Sequence, residues 1–105
     1  MSKSMKKLTY KELKAKRKKM RLRMARLSWH ILELKFLYYE GAKYNLKCPP
    51  DEYYDAIEDK YKRLAKRLKI APMASEHVGF PDTPSARLVA ENLISNKGKI
   101  KRYKI

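Results

Sequence analysis

TYKELKAKRKKMRLRMARLSWHILELKFLYYEG, residues 9–41, is the stretch that decides the fold. Thr9 and Glu12 match a capping box, in which the hydroxyl accepts from the backbone amide of residue 12 and the carboxylate reaches back to residue 9. Gly41 suits the left-handed position just beyond a helix, where a side chain would clash. Because no proline or glycine lies between these signals, a single helix is predicted from about Tyr10 to Glu40, roughly 46 Å long at about 1.5 Å per residue.

The apolar residues of this helix fall into two stripes. The first has the alternating three- and four-residue spacing of a coiled-coil seam, broken at Arg17, and comprises Tyr10, Leu13, Met20, Met24, Leu27, Ile31, Leu34 and Tyr38. The second repeats that spacing on nearly the opposite side and comprises Leu22, Ala25, Trp29, Leu32 and Phe36. We therefore expect the part from about Leu22 to Tyr38 to be covered on two sides. The part from Tyr10 to Arg26 should be mainly a charged rod.

Length, charge and cysteine content limit the class of protein. The chain has 105 residues, 44% of them hydrophobic, which is enough for one small domain. A net charge of +16 favours a polyanionic partner such as nucleic acid, an acidic protein or an anionic membrane surface. The single cysteine, Cys48, excludes an internal disulfide. The N-terminus has no apolar signal region, and no run approaches the roughly 18 apolar residues of a membrane span. We expect a cytoplasmic or nucleoid-associated protein with no membrane partner.

The first 26 residues carry twelve Lys and Arg against one acid, Glu12. Such a density has two interpretations: a solvated face, or a helix that follows a phosphate backbone and displaces its counterions. Like charges at this density oppose helix formation, which favours contact with a polyanion. Lysine outnumbers arginine and serves phosphates as a point charge, so readout of a base sequence is not indicated. The residues predicted to bind nucleic acid are Lys11, Lys14, Lys18, Arg21, Lys101 and Arg102.

A second helix is predicted from about Asp51 to Lys69, after a loop that spans Gly41 to Pro50. Its acids lie in the first half and its bases in the second, which matches the helix dipole and allows Glu58–Lys62 and Asp59–Arg63 pairs. A short loop between long helices implies an antiparallel hairpin. The apolar stripe that would face the first helix comprises Tyr54, Ile57, Tyr61, Leu64 and Leu68.

The remainder of the chain completes an all-α organisation. Thr83 and Pro84 are typical of the N-cap and first position of a short helix, predicted to run to about Ser95 and to cover the second stripe. The expected divisions are a basic arm with the first half of the long helix, an antiparallel helical hairpin, an irregular segment with the short helix, and a basic tail; these are residues 1–26, 27–69, 70–96 and 97–105.

One group of residues carries chemistry. The hairpin should bring two tyrosines from the end of the first helix beside aromatic and carboxylate residues that open the second; the set is Tyr38, Tyr39, Asp51, Tyr54 and Asp55. Tyrosine rings stack on flat heterocycles, especially cationic ones, and carboxylates accept from ribose hydroxyls or an amide. The alternative is that Tyr38 and Tyr54 are core residues, since both fall on seam positions. No metal site is predicted, because His30, His77 and Cys48 lack ligand spacing.

Three motifs occur in order: ILELKFLYYEG, PPDEYYDAIEDKYKRL and PDTPSAR. Over roughly Leu27 to Arg87, the chain resembles the N-terminal Ia domain of NAD-dependent DNA ligases. That family has an aromatic pair, a D-x-x-Y-D motif and a later D-S-P-T-Q-R-like stretch. Its Tyr-His pair falls on Tyr38 and Tyr39, so that Tyr39 replaces the histidine. Asp51, Tyr54 and Asp55 match the second motif. The third is matched at Asp82, Pro84 and Arg87, with Thr83 in place of its serine.

The resemblance implies an accessory function. In the family, this domain recognises the nicotinamide mononucleotide half of NAD and so helps to adenylylate the enzyme. The implied ligand is therefore NAD or nicotinamide mononucleotide, bound by the five residues of the aromatic and carboxylate set. No K-x-D-G sequence with a lysine nucleophile is present, so the chain by itself should not complete ligation and would act beside a separate ligase catalytic subunit.

Two further hypotheses come from other classes of protein. In one, the scaffold has lost its ligand and serves as a basic helical module that grips DNA or RNA. In the other, the stripe of Leu22, Trp29 and Phe36 is exposed and forms a protein docking face or a homodimer seam.

Overall fold

The computed structural model describes residues 9–72 and 79–100. Three helices follow one another along the chain: α1 over Tyr10–Tyr39, α2 over Asp51–Leu68 and α3 over Pro84–Ser95. The described residues contain no strand, so the all-α prediction is confirmed. Each predicted helix begins at the observed residue and ends within one residue of the observed end. None of the described helices is long and apolar enough to cross a membrane.

Local hydrogen bonds explain where the helices begin. The amide of Glu12 donates to Oγ1 of Thr9 at 3.2 Å, and the amide of Thr9 donates to Oε1 of Glu12 at 3.2 Å, which forms the predicted capping box. At α3, the amide of Ala86 donates to Oγ1 of Thr83 at 3.1 Å, as its N-cap role predicts. Pro84 follows at a helical position where a missing N–H costs nothing.

The end of α1 differs from the prediction. Gly41 does not adopt a left-handed conformation; it opens a single 3₁₀ turn over Gly41–Tyr44, and the left-handed residue is Asn45, with φ 62°. Gly41 is nevertheless needed for space, because a Cβ added there would lie 3.3 Å from the carbonyl oxygen of Leu46. That close approach is fixed by the Leu46 amide, which donates to the Gly41 carbonyl at 2.9 Å. The chain thus reverses at Asn45 and enters α2.

The first apolar cluster fills the interface of α1 and α2. Ile31 and Ile57 are fully buried at its centre, and Tyr61 is 4% exposed. Its other buried members are Met24, Leu27, Leu34, Leu64, Ala65 and Leu68. On the outer face of α2, the predicted pairs Lys62–Glu58 and Arg63–Asp59 are present at 3.6 and 3.0 Å. The antiparallel hairpin is therefore held by the first stripe of α1.

The second apolar cluster lies between α1 and α3. Phe36 packs edge-on against Phe80 with ring centroids 5.2 Å apart, and it stacks on Tyr44 at 5.9 Å. The buried members are Leu32, Phe36, Leu37, Ala86, Val89 and Leu93. The second half of α1 is thus covered on two sides, as the stripes predict. Tyr38, which falls on the seam pattern, is 63% exposed and does not join either cluster.

The first ten residues of α1 have a different environment. Each residue from Tyr10 to Lys19 is exposed, and the first partly buried position is Met20. Tyr10 is 75% exposed and Leu13 is 48% exposed. Within the part of the chain that the structure describes, this segment is a helical overhang of about 15 Å that extends beyond both clusters. It matches the predicted charged rod.

Candidate functional site

The aromatic corner lies where α1 ends and the chain turns toward α2. Tyr38 and Tyr39 are the last two residues of α1, and their rings meet nearly at right angles, with centroids 4.9 Å apart. Tyr38 is 63% exposed and Tyr39 is 48% exposed. Adjacent helical residues point about 100° apart, so one core cannot bury both rings. Two tyrosine faces are therefore open to solvent, and the interpretation of Tyr38 as a core residue is wrong.

The first turns of α2 bring Tyr54 and Asp55 to this corner. Tyr54 is partly buried against the first cluster, and its hydroxyl donates to Oε2 of Glu58 at 3.0 Å. Burial raises the pKa of Tyr54 above its usual range; Glu58 adds to the rise, with smaller contributions from the nearby Tyr39 and Asp55. Tyr54 thus packs against the first cluster and lies near Tyr39, while Asp55 is exposed beside it.

Asp51 is placed differently from the other predicted site residues. It begins α2 and is exposed. The interaction that it makes is with Cys48, since burial raises the pKa of the Cys48 thiol and Asp51 raises it further. The structure therefore pairs the rings of Tyr38 and Tyr39 and places Tyr54 near Tyr39, with Asp55 exposed next to Tyr54 on α2. Within the described residues, it shows no contact of Asp51 with these four residues.

A shallow cleft of about 480 Å³ opens beside Tyr39. Its wall combines the end of α1 with Phe80 and Asp82, from the segment that leads into α3, and with Arg87 of α3 itself. Nε of Arg87 donates to Oδ1 of Asp82 at 2.9 Å, which lowers the pKa of Asp82 and raises that of Arg87. Asp82 and Arg87 were not among the predicted site residues. The signal that could have found them was the PDTPSAR motif, which reaches the same opening as the aromatic pair.

A polar network around the buried His30 connects α1 to α2. His30 is fully buried, with Nε2 at 2.6 Å from the hydroxyl of Tyr53 and Nδ1 at 3.0 Å from Oε1 of Glu33. The rings of His30 and Tyr53 pack edge to face at 5.5 Å. This network joins α1 to α2 one residue before Tyr54. It therefore fixes the rotation of α2 that presents Tyr54 and Asp55.

Lys35 is the second buried polar residue of α1, at 4% exposed. Burial lowers the pKa of Lys35, and the opposing effect of Glu58 is smaller. Glu58 also accepts from Tyr54 and pairs with Lys62. Because the two apolar clusters pack on opposite sides of α1, residues at the boundaries between the two covered sides are buried as well. This position explains why His30 and Lys35 are inside, although each is polar.

Lys35→Met is expected to raise the free energy of unfolding by about 1 kcal/mol at pH 7, because an apolar side chain of similar length avoids the cost of removing the Lys35 ammonium from water. The folded-state pKa of Lys35 lies below the value of 10.5 for the unfolded chain, so wild-type stability should rise with pH between these two values. The variant lacks this rise, and its advantage should shrink as the pH approaches 10. Urea unfolding at pH 7, 8 and 9 measures both effects.

Lys66→Met, at an exposed position of α2, is the control and should change stability by less than about 0.5 kcal/mol. The comparison stays below pH 10, because above that value the raised pKa of Tyr54 makes stability fall as the pH rises. Destabilisation by Lys35→Met at pH 7 would contradict the expectation.

The basic overhang and its continuation carry nine exposed cations between residues 11 and 26: Lys11, Lys14, Lys16, Arg17, Lys18, Lys19, Arg21, Arg23 and Arg26. Among the described residues, no carboxylate forms an ion pair with any of them. Nζ of Lys14 lies over the ring of Tyr10, 5.5 Å from its centroid. The predicted binders Lys11, Lys14, Lys18 and Arg21 share one face at spacings of three and four residues. Lys101 and Arg102, also predicted, lie outside the described residues.

The predicted docking stripe is corrected in part. Leu22 is 55% exposed, but Trp29 is partly buried against the second cluster and Phe36 is 3% exposed within it. The stripe is occupied by α3 and the segment before it. The prediction that Phe36 belongs to an exposed face is therefore wrong, and Leu22 alone keeps a large open apolar surface.

No group of three or more histidine, cysteine or acidic side chains that could hold a metal ion occurs within residues 9–72 and 79–100. Comparison of the chain with protein-family models, with curated proteins and with solved structures gives no match.

Proposed function

We propose that this chain is a non-catalytic accessory domain that recognises the nicotinamide mononucleotide part of NAD and acts beside a separate DNA ligase core in DNA replication or repair. The observation that carries the proposal is the aromatic corner. Two exposed tyrosine rings lie 4.9 Å apart at the end of α1, and Tyr39 is close enough to Tyr54 at the start of α2 to contribute to the rise of its pKa. These residues come from two of the three motifs that resemble the ligase domain.

The chemistry of the corner suits this ligand. An exposed tyrosine face stacks on a flat heterocycle and is attracted most strongly to a cationic one, such as an oxidised nicotinamide ring. Asp55 offers carboxylate oxygens to ribose hydroxyls. Arg87 lies in the cleft beside Tyr39, and a guanidinium is well suited to a phosphate group.

The openness of the corner supports action in trans. Nucleotide sites usually bury most of their ligand, whereas Tyr38 and Tyr39 stand in solvent with one side uncovered. This chain would supply one wall of the site, and the ligase core would supply the other wall and the lysine that accepts AMP. The ligand should therefore bind weakly to the chain alone and more tightly in the presence of the core.

Titration calorimetry with nicotinamide mononucleotide and with NAD tests the nucleotide claim. Binding in the millimolar range is expected for the chain alone. Tyr39→Ala should weaken it about tenfold or more, since stacking of a base on an aromatic ring contributes about 1–3 kcal/mol. Asp55→Asn should also weaken binding, because a charged acceptor is lost.

Tyr10→Ala is the matched control for that titration, because Tyr10 is an exposed tyrosine at the other end of α1. It should leave nucleotide affinity unchanged. Absence of heat and of any shift in melting temperature at millimolar ligand would remove the nucleotide claim. An equal loss in Tyr10→Ala and Tyr39→Ala would show that the effect is not local.

A second candidate function is favoured by the nine exposed cations of α1, which form no ion pair within residues 9–72 and 79–100. In this alternative, the chain is a basic helical module that holds DNA or RNA without sequence preference and has no nucleotide site. Like charges at this density destabilise α1 unless an anion neutralises them. Nucleic-acid binding is common to both candidates, whereas only the first requires the calorimetric signal.

A further inference from the structure

A second cleft lies between the middle of α1 and the middle of α2. It encloses about 420 Å³ and is lined by Lys19, Leu22, Arg23, Arg26, Leu27, Ile57 and Lys60. Ile57 is fully buried and Leu27 is 5% exposed, so these two close the bottom of the cleft, and the apolar surface open to a ligand is mainly that of Leu22. Leu22 stands on the rim and is 55% exposed. None of these residues belongs to the aromatic corner.

The cations around this cleft stand in a row. Lys19, Arg23 and Arg26 are separated by four and three residues, which places them on one face of α1 in steps of about 5–6 Å. All three are exposed, and no ion pair within the described residues neutralises them. Like charges at these spacings destabilise a helix. Leu22, 55% exposed among these three cations, belongs to neither apolar cluster.

The combination of charge and exposed apolar surface selects one kind of occupant. A ligand that suits it must offer carboxylates in a row together with an apolar side chain between them. A helix with acidic residues at spacings of three and four, and with leucine or phenylalanine on the same face, has this pattern. Duplex nucleic acid presents a row of phosphates on its outside but keeps its apolar base faces and thymine methyls inside the stack and the grooves, so it suits Leu22 less well than an apolar side chain does. We propose that this cleft is the docking site for an acidic amphipathic helix of a partner protein.

The docking site is distinct from the face predicted for nucleic acid. At about 100° per residue, the row of Lys19, Arg23 and Arg26 lies roughly 120° around α1 from the row of Lys11, Lys14 and Lys18. The two rows carry the same charge and occupy the same helix. They therefore form a matched pair of sites for mutation, and the proposal does not depend on nucleotide recognition.

The test uses the full chain and two synthetic helical peptides of about 18 residues, roughly five turns, with identical composition. In the first peptide, leucines and glutamates share one face; in the second, they lie on opposite faces. Fluorescence anisotropy is expected to show at least tenfold tighter binding of the first peptide. Amide chemical shifts should change at Leu22, Leu27 and Ile57 when it binds.

Three variants define the contact. Leu22→Ala should weaken binding of the first peptide about tenfold, because it removes the central apolar anchor. A triple replacement of Lys19, Arg23 and Arg26 by glutamine should weaken it by more than tenfold. The same replacement at Lys11, Lys14 and Lys18, with an equal change in net charge, should have less than a third of that effect on a logarithmic scale.

Several outcomes would overturn the proposal. Equal binding of the two peptides, or no change with Leu22→Ala, would mean that only net charge is sensed. If duplex DNA shifts the resonances of Leu27 and Ile57 and loses affinity with Leu22→Ala, the cleft belongs to nucleic acid. Absence of peptide binding would also overturn the docking proposal. If nucleotide binding is retained in that case, the function proposed for the aromatic corner is not affected.

Discussion

Replacement of Lys11, Lys14, Lys18 and Arg21 by glutamine is expected to flatten the salt dependence of duplex DNA binding by about 3.6 in the slope of log K against log salt, at about 0.9 per phosphate contact. All four residues are exposed on one face of α1, and no carboxylate within the described part of the chain pairs with them. Between 50 and 200 mM salt, the wild type should lose about 150-fold more affinity than the variant. Fluorescence anisotropy with a duplex of arbitrary sequence measures both slopes.

The matched control for this prediction is replacement of Lys62, Arg63, Lys66 and Arg67 on α2 by glutamine. It changes the net charge by the same amount, but Lys62 and Arg63 already pair with Glu58 and Asp59. The control should reduce the slope by less than half as much. Equal slopes for the two variants would show that net charge, rather than the face of α1, governs binding. A wild-type affinity that does not respond to salt would exclude phosphate contacts.

Phe36→Ala is expected to lower the free energy of unfolding by about 3–5 kcal/mol, the usual cost of truncating a buried phenylalanine to alanine. Phe36 is 3% exposed and contacts the rings of both Phe80 and Tyr44. Its loss leaves a cavity under α3 and removes two aromatic contacts. Since small domains have only about 5–15 kcal/mol of stability, this is a large fraction. Thermal unfolding should show a midpoint lowered by roughly 15–30 °C.

Leu22→Ala separates the core role of Phe36 from the docking role once expected for the same stripe. Leu22 is 55% exposed, so its truncation should cost less than about 1 kcal/mol. If both variants lose little stability, then α3 does not cover α1 in solution and the stripe is open, as the docking hypothesis requires. If Phe36→Ala alone unfolds at lower temperature, the second cluster is a true core.

The helices could be predicted because their determinants are local. Thr9 and Thr83 accept from amides three residues ahead, and such signals are legible in sequence without knowledge of packing. The ends were harder. Gly41 matches a left-handed cap in sequence, but the left-handed residue after α1 is Asn45, because the close approach of Leu46 to Gly41 sets the turn. Local propensity does not contain that contact.

The candidate site could be predicted only in part. The aromatic pair and the start of α2 come together because an antiparallel hairpin must place its loop-proximal residues at one end. The joining of Tyr39 with Asp82 and Arg87 depends on how α3 packs on α1, which no local pattern states. His30 and Lys35 are buried because two apolar clusters cover opposite sides of α1. The two stripes imply this burial, but it is not evident when His30 is considered as an isolated side chain.

In the exposed first turns of α1, added salt should change helix content and affinity for phosphates in opposite directions. Because the buried part of α1 already serves as a nucleus, the overhang needs only propagation to stay helical, and repulsion among its cations is what limits it. Added salt screens that repulsion and so lengthens the ordered helix, while it weakens attraction to phosphates. A polyanion, by contrast, neutralises the cations where they stand. On a polyanion, the helix content of the overhang and its binding affinity therefore rise together. With added salt alone, the helix content rises while the affinity falls.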